Sequence, residues 1–80
     1  MDKNLIKKIR LVFGLKQAEI AERIGKTQAY IALLEAGSIP LKKEVEMDIK
    51  RAFHSEGVTE TDMVILHELG KGRANEKNTF

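Results

Sequence analysis

The chain has no cysteine. That excludes a disulfide framework, cysteine-based metal sites and thiol nucleophiles. No apolar run approaches the roughly 20 residues that a membrane-crossing helix needs. The opening Met1-Asp2-Lys3-Asn4 lacks the pattern of a secretory signal. A cytoplasmic location is therefore expected, with no membrane partner. Proline occurs once, at Pro40, and there is no internal repeat or low-complexity tract. Reactive constellations are also missing. His54 and His67 have no cysteine to complete a metal site, and Glu44, Glu46 and Asp48 fall on one solvated helical stretch. Gly70-Lys71-Gly72 lacks the strand and helix that flank a phosphate loop, and no serine has a plausible base nearby in sequence. The chain does not read as an enzyme, and no cofactor or metal is expected.

Eighty residues make one domain with a small core, which a partner subunit would help to stabilise. The net charge of +2 hides an asymmetry. Residues 1–43 carry nine Lys or Arg against four Asp or Glu, and residues 44–80 carry five against eight. A basic N-terminal half suits a phosphate backbone, although uneven surface charge alone gives the same pattern.

The basic half contains QAEIAERIGKTQAYIALLEA, from Gln17 to Ala36. Ile20, Ala21 and Ile24 recur at helical spacing, as do Ile31 and Leu34. Between the two stripes lies Gly25-Lys26-Thr27. Glycine admits the positive φ of a sharp turn, and Thr27 can cap the next helix with its hydroxyl. Ala21 is small where the second helix must cross. Two short helices joined by such a turn form a helix-turn-helix, whose second helix can enter a major groove. A plain αα-hairpin would share part of this pattern. Gln17 and Gln28 are left pointing outward.

Three further helices surround this pair. Asp2 or Asn4 can cap a first helix to about Phe13, with Leu5, Ile6, Ile9, Val12 and Phe13 as its stripe. Gly14 and Leu15 end it, with Leu15 folding back onto it. Arg10 sits beside the stripe, an odd place for an unpaired charge. Lys16 is a poor N-cap for the second helix and is disfavoured by its dipole. A phosphate nearby would offset that, or the exposed lysine is simply tolerated. Gly37 stops the third helix and Pro40 prevents an early restart. A fourth helix is expected over Leu41 to Phe53. The fifth begins with Thr59 as N-cap, Asp62 as its acidic partner, and Val58 and Met63 as a hydrophobic staple. Its run Met63-Val64-Ile65-Leu66 covers every side of a turn, more than one buried stripe requires. Val64, Ile65 and Leu69 are therefore assigned to a dimer interface, unless the helix is sunk more deeply into its own core. Residues 1–70 form the domain, and 71–80 read as a flexible C-terminal tail.

From Ile9 to Pro40 the text resembles the lambda-repressor-like, Cro-type helix-turn-helix family of phage repressors and bacterial regulators, the 434-type repressors in particular. The resemblance rests on Arg10, Gly14 to Ala21, Ile24 to Gln28, Ile31, Leu34-Glu35 and Gly37. It implies an all-α, compact five-helix bundle that binds double-stranded DNA at a palindromic operator as a homodimer. The implied role is a transcriptional repressor or autoregulator, located in the cytoplasm on the nucleoid. Base readers would be Gln28, whose amide matches adenine, together with Ala29 and Leu33. Backbone contacts would come from Gln17, Lys16, Lys26, Thr27, Tyr30, Lys42 and Lys43, and Gln17 would also brace Gln28. Arg10 and Glu35 would form a buried ion pair. The chain departs from the family at Lys16, Tyr30 and Leu33. Ala29, Tyr30, Ala32 and Leu33 together make an apolar outer face on the third helix, suited either to thymine methyls or to a protein. The second reading is accordingly an antitoxin-like or regulator-binding module on the same fold.

Overall fold

Most of the helices begin where a side chain can take up amides that have no intrahelical acceptor. The computed structural model describes the backbone of residues 1–79 and the side chains of residues 1–69. Its helices are α1 (Lys3–Val12), α2 (Gln17–Ile24), α3 (Gln28–Ala36), α4 (Lys43–Ser55) and α5 (Glu60–Thr79). No strand occurs among the described residues, so the fold is an all-α bundle. Asp2 accepts from the Leu5 amide at 2.8 Å, and the Thr27 hydroxyl accepts from the Tyr30 amide at 3.1 Å. At α5 the exchange is reciprocal. The Asp62 amide donates to Thr59 Oγ1 at 3.0 Å, and the Thr59 amide donates to Asp62 Oδ2 at 2.9 Å. Caps of this kind contribute about 1 kcal/mol each. By contrast, α2 and α4 follow Lys16 and Lys42, whose ammonium groups have no lone pair to offer an amide. Only Glu19 assists there, accepting from the Lys16 amide at 3.1 Å.

The turn between α2 and α3 depends on Gly25. Its φ is 70°, and the Lys26 amide closes onto the Ala21 carbonyl at 2.9 Å. At the far end of α3, Gly37 has φ 77°, a conformation strained for any other residue, and lies under the flexible end of the Lys3 side chain, which would have to move aside for a β-carbon. Between these stops α3 is fixed in length and direction.

Ile6, Ile9, Ile20, Ile31, Leu34, Ile49, Phe53 and Val58 are the largest fully buried side chains. Each contributes on the order of 1.5–3 kcal/mol by leaving water. α2 packs on both α3 and α4, while α1 packs on α3 and α5. Ala21 is buried within this core, in keeping with the need for a small residue at the α2–α3 crossing. Met63 and Val58 are both buried at the start of α5.

Two expectations need correcting. Val12 is 60% exposed rather than part of the inward stripe, and Phe13 is only half-buried. Val12 lies on the same edge of α1 as Leu5. Leu5 shares a cleft with Met63 and His67 of α5, whereas Val12, two turns further on, is left exposed. Helix α4 starts at Lys43, not Leu41, because Lys42 is extended (φ −73°, ψ 150°). Leu41 packs on the core from the lead-in. Helix α5 is drawn to Thr79. The flexible-tail reading of 71–80 falls on side chains outside those described. No described helix is long and apolar enough to cross a membrane.

Replacing Gly25 by alanine should cost about 1–2 kcal/mol, since only the left-handed conformation suffers and there is open space around the new methyl. Thermal denaturation followed by circular dichroism should show the midpoint fall by roughly 4–8 °C per kcal/mol. An unchanged midpoint would show that the turn does not need a glycine.

Candidate nucleic-acid interface

The start of α3 is exposed, and Gln28 is its first residue. Its side chain is the outermost member of a hydrogen-bonded series that reaches into the core. Gln28 Nε2 donates to Gln17 Oε1 at 3.4 Å, and Gln17 Nε2 donates to Glu35 Oε1 at 3.1 Å. Arg10 closes the series. Its Nη2 donates to Glu35 Oε1 and its Nε to Glu35 Oε2, both at 2.8 Å, a bidentate fork. Arg10 Nη1 also donates to the Leu15 carbonyl at 3.0 Å. Thus α1, α2 and both ends of α3 meet through four side chains.

The inner pair is dry. The side chains of Arg10 and Glu35 are 10% and 5% exposed. Burial pushes the Glu35 carboxyl up. Hydrogen bonds from Arg10 and Gln17, with the positive charges of Arg10 and Lys7, outweigh it and hold the group below the usual range. The hydrogen bond with Glu35 raises Arg10 against its own burial cost. The pair also explains the odd position of Arg10, which is buried at the edge of the α1 stripe.

A second cluster lies beside the first. Lys26, Tyr30 and Lys42 line one cleft, with Ile39, Pro40, Glu44 and Val45. Lys26 Nζ stands 5.3 Å from the Tyr30 ring centroid, a cation–π contact. The Thr27 hydroxyl already accepts from the Tyr30 amide, which leaves its hydrogen to donate outward. Lys16 stands at the start of α2 and Lys43 is the first residue of α4, both exposed and outside this cleft. Ala29 is exposed, and Leu33, one turn further along α3 on the same side, is 44% exposed. Polar donors at the start of α3 therefore sit beside an apolar strip.

Away from this face, Val64, Ile65 and Leu69 on α5 are 59%, 50% and 59% exposed. The residue that sequence reasoning missed there is His67. Both of its ring nitrogens are buried with no hydrogen-bond partner, in a cleft shared with Asp2, Leu5, Lys50 and Met63. No local signal marks that burial, because it depends on how α5 meets α1. The Gln17–Glu35 bond was equally hidden, since the two residues are eighteen positions apart and meet only through the helix crossing.

A family model described as helix-turn-helix matches residues 6–46, just over half of the chain. Neither curated proteins nor solved structures give a match.

Arg10→Ala should cost about 3–5 kcal/mol, because it strands a buried carboxylate, whereas Arg10→Met with Glu35→Met should be far milder. The pair also sets an acid limit. Glu35 has a folded pKa below its ordinary value of 4.5. Its stabilising contribution is complete above that value, where both states are ionised. It declines as pH falls from 4.5 through the lowered folded pKa, because the unfolded chain binds the proton first. Urea unfolding from pH 7 to pH 3 should show this decline in the wild type and a flatter profile in the double-methionine variant. Equal slopes would remove the pair from the acid response.

Proposed function

The chain belongs to the lambda-repressor-like, Cro/C1-type helix-turn-helix family of DNA-binding transcription regulators, and on that premise we propose that it is a repressor or autoregulator of phage or bacterial origin. In this reading it binds a palindromic operator on the nucleoid as a homodimer. The observation that carries it is the braced Gln28 at the exposed start of α3. A side chain that only dissolved the surface would have no need of a chain of partners reaching a buried ion pair.

With α3 in the major groove, Gln28 offers its amide to an adenine edge, and Ala29 and Leu33 offer methyl groups to thymines. The α2 start, Lys16 and Gln17, and the cleft of Lys26, Tyr30 and Lys42 face the phosphates on either side, with Thr27 and Lys43. The missing side-chain caps at α2 and α4 support this division, because free helix amides are donors for phosphate oxygen. Lysines then supply affinity through counterion release, and the α3 side chains supply sequence preference.

The exposed Val64, Ile65 and Leu69 support self-association through α5. Two-fold pairing would set two recognition helices about 34 Å apart, one turn of the duplex. The apolar strip of Ala29 and Leu33 favours one other reading, in which α3 binds a protein and the module acts like an antitoxin.

Lys42→Ala should weaken binding to all duplexes alike and reduce the salt slope by about one unit, while Gln28→Ala should flatten sequence preference with little change in that slope. Fluorescence anisotropy on a duplex panel reads both. A Gln28→Ala protein with unaltered preference would favour the protein-binding reading. Separately, Ile65→Glu should sediment as a monomer at concentrations where the wild type is a dimer, and a wild type that is itself monomeric on and off DNA would exclude the α5 interface.

A further inference from the structure

We propose that Glu35, a residue that does not reach the outer surface of α3, sets the base preference of Gln28 by fixing the direction of the hydrogen bonds between them. The inference rests on the DNA-binding reading above.

The direction follows from the chemistry of the two inner groups. A guanidinium has only donors, and an ionised carboxylate has only acceptors. Arg10 fills both oxygens of Glu35, and Glu35 Oε1 takes one further bond, from Gln17. An acceptor can receive only the NH2 side of an amide. The reverse flip of Gln17 would set its carbonyl oxygen against the carboxylate. Gln17 must therefore turn its NH2 group inward and its Oε1 outward. That outward oxygen in turn takes the NH2 side of Gln28, at 3.4 Å, a contact long enough to tighten when the face is covered. Every amide in the series points its donor toward the core.

The consequence lies at the outer end. One hydrogen of Gln28 Nε2 is committed to Gln17. What remains is one N–H and the carbonyl oxygen. Adenine presents N7, an acceptor, and the N6 amino group, a donor, so the remaining pair matches it. Guanine presents acceptors at both N7 and O6, and the Gln28 oxygen would oppose O6. A glutamine free to flip could serve more bases. The carboxylate thus acts as a positioning residue through Gln17, and the ion pair has a role in recognition besides its role in packing.

The test compares duplexes carrying each of the four base pairs at every position of a site enriched from random DNA. The Gln28 position is the one whose preference collapses in Gln28→Ala. There the wild type should favour adenine over guanine about tenfold or more. Glu35→Gln has nearly the same shape but can both donate and accept, so Gln17 is free to face either way. The adenine preference should fall to within about twofold, with preferences at other positions kept. Arg10→Met with Glu35→Met should do the same without leaving a buried charge. Arg10→Lys keeps the carboxylate, and it should keep the adenine preference while lowering thermal stability. That combination separates direction-setting from mere support of the fold. Retention of the full adenine preference in both Glu35 variants overturns the proposal and leaves the DNA-binding reading intact. A wild type with no position that depends on Gln28 overturns that reading itself, and the proposal with it.

Discussion

The bidentate contact between Arg10 and Glu35 is the interaction on which the rest of the arrangement depends. Removing two charges from water costs several kcal/mol per ion, and the mutual attraction repays this only when geometry is good and the remaining lone pairs are filled. Here both conditions hold. The fork is 2.8 Å on each arm, Arg10 has the Leu15 carbonyl as a further acceptor, and Glu35 has the Gln17 amide as a further donor. A pair of this kind adds little net stability over apolar residues of similar size. What it adds is a fixed point shared by α1, α2 and the end of α3. The outward glutamines are tied to that point.

The hydrophobic core does a different task. Ile20, Ala21, Ile31 and Leu34 set how α3 crosses α2, and Ile6, Ile9, Ile49 and Phe53 hold that pair against α1 and α4. Gly25 and Gly37 delimit α3 at its two ends. The helix is thereby held as a rigid body with its first turn exposed. Rigid placement matters for reading bases, because an amide must arrive in register with a base edge, whereas lysines reach phosphates with long, adaptable stems. The same face accordingly joins amides braced by hydrogen bonds at the start of α3 to long-stemmed lysines around it, Lys26 among them over the Tyr30 ring.

Local features were legible in the sequence because their causes are local. Thr27 at α3, and Thr59 with Asp62 at α5, act over three residues, and each makes the bond that its spacing suggests. The inward stripes were legible wherever a neighbouring helix covers the whole face. Val12 shows where that reasoning fails, since periodicity says which side a residue is on and not how far the cover extends. Leu41 shows the same at α4: an apolar residue in step with the helix packs on the core from an extended lead-in. The unpartnered nitrogens of His67 and the Gln17–Glu35 bond were not legible at all, because both arise from tertiary crossings. Arg10 stood between these cases. Its position was conspicuous from periodicity, while its partner came only through the family resemblance.

The proposed function stands or falls on whether the α3 face reads DNA sequence. Selection from a random duplex pool, followed by sequencing of the bound fraction, tests it most directly. A dimer that reads DNA through Gln28 should enrich two inverted half-sites about one helical turn apart, each with a strongly preferred adenine. A bound fraction with no enriched sequence would contradict it.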